Sequence, residues 1–185
     1  MPIPGNKPGQ TLSGTTILAL RHNNETVMAG DGQVTLETTV IKHNARKVRR
    51  IYKDAILVGV AGATADALNL SERLEAKLEQ FSGNLTRASV ELARDWRTDK
   101  YLRRLEALMI AVDAEHMYLL SGNGDVIEPD EGLISIGSGS QAAQAAARAL
   151  MNHSSLDAAA IAGEAMHIAS VLCIYTNTEV TLEKL

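Results

Sequence analysis

Residues 15–21 and 25–30 are short runs dominated by Thr, Ile, Leu, Val and Ala, separated by the polar stretch His22-Asn23-Asn24. Runs of that length around a polar break predict two strands of a hairpin. Gly30-Asp31-Gly32 turns the chain, and the β-branched residues of 33–41 predict a further extended segment. Segments 46–52 and 55–61 read as two more strands around a Lys53-Asp54 turn. From Thr64 the period changes. Ala67, Leu70, Leu74, Leu78 and Phe81 recur at spacings of three and four, one face of a helix that Gly83 ends. Leu85, Ala88, Leu92 and Trp96 repeat the pattern, so the two helices form an antiparallel pair. Strands return at 106–112, 116–121 and 132–137, with Gly122-Asn123-Gly124-Asp125 as a hairpin turn. Two further helices are expected, from about Ser140 to Met151 and from Leu156–Asp157 to about Val171. Cys173–Thr176 reads as a closing strand, with Val180–Leu182 as a further candidate.

Strands and helices thus come in blocks: strands, two helices, strands, two helices, strand. Segregated blocks predict an α+β fold in which sheets stack between helix pairs, rather than alternating βαβ units. The 185 residues suit one domain. Only 3% of them are aromatic, so Leu, Ile, Val and much Ala must fill the core. Three of the four prolines and three glycines crowd into residues 1–14, without the apolar centre of a signal peptide. That stretch reads as a disordered extension or propeptide ahead of a domain spanning 15–185. The single cysteine, Cys173, rules out an internal disulfide and fits a reducing, cytoplasmic setting. A net charge of −4 gives no general reason to bind nucleic acid, and no apolar run has the length of a bilayer span.

The chemistry worth testing lies where the extension stops. Alone, Thr15-Thr16 at a strand start is ordinary strand composition. Cleavage after Gly14, however, would place a hydroxyl and a free α-amine on one residue, Thr15. Such an amine titrates at about 7.7–8.0 and can act as general base to its own hydroxyl. No histidine is then needed, and the five present (22, 43, 116, 153, 167) show no spacing suited to a metal or a triad. Lys47 lies in the basic run Arg46-Lys47-Val48-Arg49-Arg50, which by composition alone would be a solvated strand face. Beside Thr15 it would favour a deprotonated hydroxyl and a neutral amine. Asp31, by default a turn residue, could orient that lysine. Gly62 sits in Gly59-Val60-Ala61-Gly62-Ala63-Thr64, a strand-to-helix junction whose backbone N–H groups could meet an oxyanion. Gly137-Ser138-Gly139-Ser140-Gln141-Ala142 fits the G-x-G-x-x-A form of a dinucleotide loop. Its acid, Asp157, follows a helix-starting loop instead of ending a parallel strand, so no nucleotide site is expected. Ser138 could still hydrogen-bond the nucleophile's amine. Cys173 reads as a small buried hydrophobe.

These residues together amount to a resemblance. Thr15-Thr16-Ile17, Met28-Ala29-Gly30-Asp31-Gly32-Gln33-Val34-Thr35 and Arg46-Lys47-Val48-Arg49-Arg50 carry it in the first third of the chain. Gly62-Ala63-Thr64-Ala65-Asp66-Ala67, Ala93-Arg94-Asp95-Trp96-Arg97-Thr98-Asp99 and Leu105-Glu106-Ala107-Leu108 continue it. Gly122-Asn123-Gly124-Asp125-Val126, Ile136-Gly137-Ser138-Gly139 and Cys173-Ile174-Tyr175-Thr176-Asn177 complete it. In order and spacing the chain resembles the HslV (ClpQ) family, the proteasome-β-like branch of the N-terminal nucleophile hydrolases.

The resemblance implies a four-layer αββα sandwich, with two antiparallel sheets between helix pairs. It implies a self-processed threonine endopeptidase, assembled as two stacked six-subunit rings and driven by a hexameric ATPase of the HslU type that delivers unfolded protein. Carried over by position, Thr15 is nucleophile and, through its amine, base. Lys47 and Asp31 tune it, the Gly62 N–H serves the oxyanion and Ser138 supports the amine. A structural sodium ion would sit on the carbonyls of Ser170, Cys173 and Thr176. Three features depart from the family pattern: Ser170 in place of glycine, Ser140 in place of glycine, and a longer extension before Thr15. Two other readings remain open at this stage: a non-catalytic ring subunit that keeps its extension, and a hydrolase of small amides that needs no ATPase.

Overall fold

The computed structural model describes residues 12–62, 64–102, 105 and 107–185. The expected extension up to residue 11, Ala63 of the Gly62 junction and Glu106 at the start of a predicted strand lie outside them. The chain opens with β1 (Leu12–Ser13), β2 (Thr16–His22), β3 (Glu25–Asp31), β4 (Val34–Leu36) and β5 (Thr39–Lys42). β6 (Val48–Ile51) and β7 (Ile56–Ala61) follow, then α1 (Thr64–Gln80) and α2 (Leu85–Thr98). β8 (Leu108–Val112), β9 (Met117–Ser121), β10 (Val126–Ile127) and β11 (Leu133–Gly137) precede α3 (Ser140–His153), α4 (Ala158–Leu172) and β12 (Val180–Lys184).

Two antiparallel sheets carry the fold, in strand order β11-β2-β3-β12 and β10-β9-β8-β7-β6. The β2–β3 hairpin turns through Asn23 and Asn24, both at positive φ (51° and 64°), a turn whose twist suits the flanking strands. Helices α3 and α4 cover the first sheet, where Leu18, Leu20, Val27 and Ala29 pack on Ala143, Ala147, Ile161 and Ala165. Helices α1 and α2 cover the second, where Val58, Val60 and Met109 pack on Leu70, Leu74, Leu92 and Trp96. Between the sheets lie Ile17, Ala19, Met28, Leu57, Ile110 and Ile136. The layers are therefore helix, sheet, sheet, helix, as the resemblance implied. β2 is apolar along most of its length because Ile17 and Ala19 face the other sheet while Leu18 and Leu20 face helices. A strand buried on both faces has no polar side to alternate with. At Gly59 a Cβ would stand 2.8 Å from Ile17 Cγ2 and 3.0 Å from Met28 Sδ, so glycine lets the two sheets meet there.

Three expectations are corrected. The extended segment 33–41 is two short strands, β4 and β5, broken where Glu37 turns at φ 53°. They form a third, small sheet of order β1-β4-β5, in which Leu12 pairs with Leu36 and Ser13 with Thr35. Leu12 and Ser13, expected as part of a disordered extension, are thus a paired strand. Cys173–Thr176 is no strand either. Cys173 caps α4 with its N–H on the Ala169 carbonyl, and the Thr176 N–H turns back to the Cys173 carbonyl. The β-branched and aromatic composition suggested a strand, but the open edge of β3 is taken by β12. Side chains hold the segment instead.

Candidate active site

Thr15 stands immediately before β2, where the ends of several elements converge. Gly14 turns at φ 106°, and a Cβ there would lie 3.1–3.3 Å from Thr35 Oγ1 and the carbonyls of Gln33 and Tyr175. Glycine is required by both the sign of φ and the crowding. β3 delivers Asp31, which is fully buried. Its Oδ1 accepts from the Thr16 N–H at 2.7 Å and from Lys47 Nζ at 2.8 Å, and its Oδ2 accepts from the Gln33 N–H at 2.9 Å.

Lys47, the residue before β6, donates all three of its protons. They go to Asp31 Oδ1 at 2.8 Å, to the Gly14 carbonyl at 2.6 Å and to the Gln33 carbonyl at 2.5 Å. Burial pushes the Lys47 ammonium below its ordinary value, while the charge and hydrogen bond of Asp31 pull it back up. The Gly14 carbonyl also receives the Thr15 hydroxyl, at 2.8 Å. The peptide bond between Gly14 and Thr15 is thus polarised by a cation, with the candidate nucleophile beside it.

Behind Thr15 stands the junction of β11 and α3. The Ser138 N–H donates to the Thr15 carbonyl at 2.8 Å, and the Ser138 hydroxyl lies 3.3 Å from the same oxygen. The Gly139 N–H donates to Thr16 Oγ1 at 2.9 Å, and that hydroxyl shares a 2.7 Å bond with Thr176 Oγ1. At Gly137, with φ 93°, a Cβ would fall 1.9 Å from the Thr15 carbonyl oxygen. The loop that resembled a dinucleotide motif uses its amides on the Thr15 backbone and on the neighbouring threonine.

In front of Thr15 opens a pocket lined by Gly14, Thr15, Lys47 and Gly62, with Val34, Val60 and Leu68 on its apolar side. Five sequence-predicted residues therefore meet: Thr15, Lys47 and Asp31 in direct hydrogen-bonded sequence through Gly14, Gly62 across the pocket, and Ser138 behind. Ser138 touches the Thr15 carbonyl. Ser170, Cys173 and Thr176 lie at the end of α4 and in the turn after it. Among the described residues no donor reaches the Ser170 or Thr176 carbonyl, whereas the Cys173 carbonyl accepts from the Thr176 N–H at 3.0 Å. Carbonyl oxygens at a helix end are hard donors, which suit a hard cation. Sequence reasoning assigned no role to Thr16, Gln33 or the Thr176 hydroxyl. Their only signal was membership of the stretches quoted for the resemblance.

The proteasome subunit family matches residues 11–185. The ATP-dependent protease subunit HslV of Syntrophobacter fumaroxidans is 58% identical over 178 residues, 96% of this chain and 99% of that protein. The protein of the same name from Aquifex aeolicus is 58% identical over 174 residues, 94% and 99% of the two chains. The crystal structure of HslV from Trypanosoma brucei superposes with a TM-score of 0.88 at 48% identity, covering 92% of this chain and 98% of that one. A Thiobacillus denitrificans protein, BPH, superposes at 0.71 with 19% identity over 92% and 97%, a likeness of fold alone. At such identity over nearly its full length, this chain belongs to the proteasome subunit family and, within it, to the HslV proteins.

Proposed function

We propose that Thr15 is the nucleophile of this protease subunit and that it is released by cleavage of the chain's own Gly14–Thr15 bond. The observation that carries the reading is the convergence of the Thr15 hydroxyl and Lys47 Nζ on the Gly14 carbonyl, at 2.8 and 2.6 Å. Thr15 Oγ adds to the Gly14 carbonyl carbon. The amide C–N bond breaks, the hydroxyl proton passes to the departing nitrogen, and an ester joins Gly14 to Thr15 Oγ. Water hydrolyses that ester, releasing residues 1–14 and leaving Thr15 with a free α-amine. In the mature chain the amine takes the hydroxyl proton as Thr15 Oγ attacks a substrate carbonyl, and it then activates the water that clears the acyl-enzyme. The positive charge of Lys47, fixed by Asp31, keeps the amine neutral at working pH. The Gly62 N–H faces the oxyanion from across the pocket, and Ser138 steadies the amine.

The chain is a subunit of an ATP-dependent protease and carries the peptidase chemistry, not the ATPase. Its partners are a hexameric ATPase of the HslU type, which supplies unfolded protein, and further copies of itself in two stacked six-membered rings. The apolar side chains of Val171, Leu172 and Ile174, 70%, 69% and 82% exposed, fit burial against neighbouring subunits. Among the described residues no helix is long and apolar enough to cross a membrane. The complex works in the cytoplasm, a reducing setting that the single cysteine, Cys173, fits. Ser170, Cys173 and Thr176 would hold a sodium ion through their carbonyls, and it would brace the turn behind Thr16.

Intact mass and peptidase assays on wild type and Thr15→Ala test the reading. The wild type is expected to lose residues 1–14 and to cleave a small peptide. Thr15→Ala should keep the full mass and lose activity by at least ~1,000-fold. A full-length wild type that nevertheless cleaves peptides, or an active Thr15→Ala, would overturn it.

A further inference from the structure

The turn after α4 reaches the active site through four side-chain bonds, made at three of its residues. Gln33 Nε2 donates to the Ile174 carbonyl at 2.9 Å, and Thr176 Oγ1 meets Thr16 Oγ1 at 2.7 Å. The third bond-maker is Asn177. Its Oδ1 accepts from the Gly32 N–H at 3.1 Å, and its Nδ2 donates to the His43 carbonyl at 2.8 Å. One rigid amide therefore bridges two separate stretches of backbone.

Those two stretches carry the two residues that tune Thr15. Gly32 follows Asp31, and Gln33 supplies a carbonyl to Lys47 Nζ. His43 begins the segment that runs to Lys47. The stretches already touch, since the Ala45 N–H donates to the Gly32 carbonyl at 2.9 Å and a Cβ at Gly32 would lie 2.2 Å from the His43 carbonyl oxygen. The Asn177 amide adds a donor and an acceptor on one rigid planar group, so both stretches are tied to a single side chain as well as to each other.

We propose that Asn177 is a positioning residue for the peptidase reaction, clamping the Asp31 turn to the Lys47 segment so that the ammonium stays in register with Thr15. It touches neither substrate nor nucleophile. Placement of a charged group tolerates an error of about 0.5 Å before catalysis suffers, so a slack clamp costs rate more than binding. The inference rests on the reading of Thr15, Lys47 and Asp31 given above.

The test is steady-state cleavage of a small fluorogenic peptide by the assembled, processed enzyme and by Asn177→Ala and Asn177→Asp. Asn177→Ala is expected to lower kcat about tenfold with KM within about twofold of wild type. Its assembled size and melting temperature should match wild type. Asn177→Asp keeps the acceptor for Gly32 but loses the donor to His43, and should give a kcat between the two. A wild-type kcat in Asn177→Ala, or a loss that appears in KM or tracks a fallen melting temperature, overturns the proposal. Should Asn177→Ala not fold, Asn177→Asp decides: a partial kcat loss at unchanged KM supports the clamp, and wild-type kcat removes it. Failure of the underlying reading shows elsewhere, as an active Thr15→Ala.

Discussion

Two strand-to-helix junctions flank Thr15, and both are glycine-rich, yet the protein uses them in opposite ways. The junction from β11 to α3 is closed. Gly137 and Gly139 press against Thr15 and Thr16, and the amides between them bond to the Thr15 carbonyl and the Thr16 hydroxyl. The junction from β7 to α1 is open. Gly62 is exposed and lines the pocket with Thr15 and Lys47. The first holds the Thr15 backbone; the second faces the pocket in front of Thr15. A glycine-rich turn at a helix start is thus an anion site only where nothing of the protein already fills it.

Substitution should separate the two. At Gly137 an alanine Cβ would have to occupy space 1.9 Å from the Thr15 carbonyl oxygen, on a backbone at φ 93°. The backbone of β2 or β11 must move, at a cost of at least ~3 kcal/mol. Gly137→Ala should therefore fold poorly, melt about 10 °C lower where it does fold, and fail to process. At Gly62, with φ 152°, alanine meets strain on the open side of the pocket. We expect Gly62→Ala to lose about 1–2 kcal/mol of stability while kcat falls about 10- to 100-fold. Thermal melts beside peptidase assays read both. Equal stability losses at the two glycines would erase the distinction between a closed and an open junction.

The same contrast explains what could be read from sequence. Layering was legible because it follows periodicity: β2 and β7 show as unbroken apolar runs, and α1 and α2 as spacings of three and four. Thr15, Asp31, Lys47, Gly62 and Ser138 each read as ordinary alone, and were nameable because the stretches that hold them resemble the HslV family in order and spacing. The closed junction was less legible. Gly137-Ser138-Gly139 offers the same letters whether its amides face a phosphate or a carbonyl of the chain itself, and only the antiparallel pairing of β11 with β2 decides. The turn after α4 was misread because Ile174, Tyr175 and Thr176 have strand propensity. What holds them is Gln33 and Thr16, more than 140 residues away, and no local pattern encodes such a partner. β1 was missed for the same reason: two residues pair with Leu36 and Thr35 across a turn that periodicity cannot see.

Ser138 gives the mildest test of the closed junction, because backbone and side chain there do different work. Its N–H makes the short bond to the Thr15 carbonyl, 2.8 Å, while the hydroxyl stands at 3.3 Å from the same oxygen on an exposed side chain. Ser138→Ala removes only the second. If the junction acts through its backbone, stability should change by less than ~0.5 kcal/mol and processing should remain complete. The hydroxyl's proposed hydrogen bond to the mature amine is a single bond, worth about 1 kcal/mol, so kcat should fall about fivefold with KM unchanged. A loss as large as that of Gly62→Ala would mean that Ser138 handles the proton itself and does more than steady the amine. Intact mass and a kcat measurement on this one variant separate the two roles, since a proton-handling hydroxyl would slow processing as well as turnover, and a steadying one would leave processing untouched.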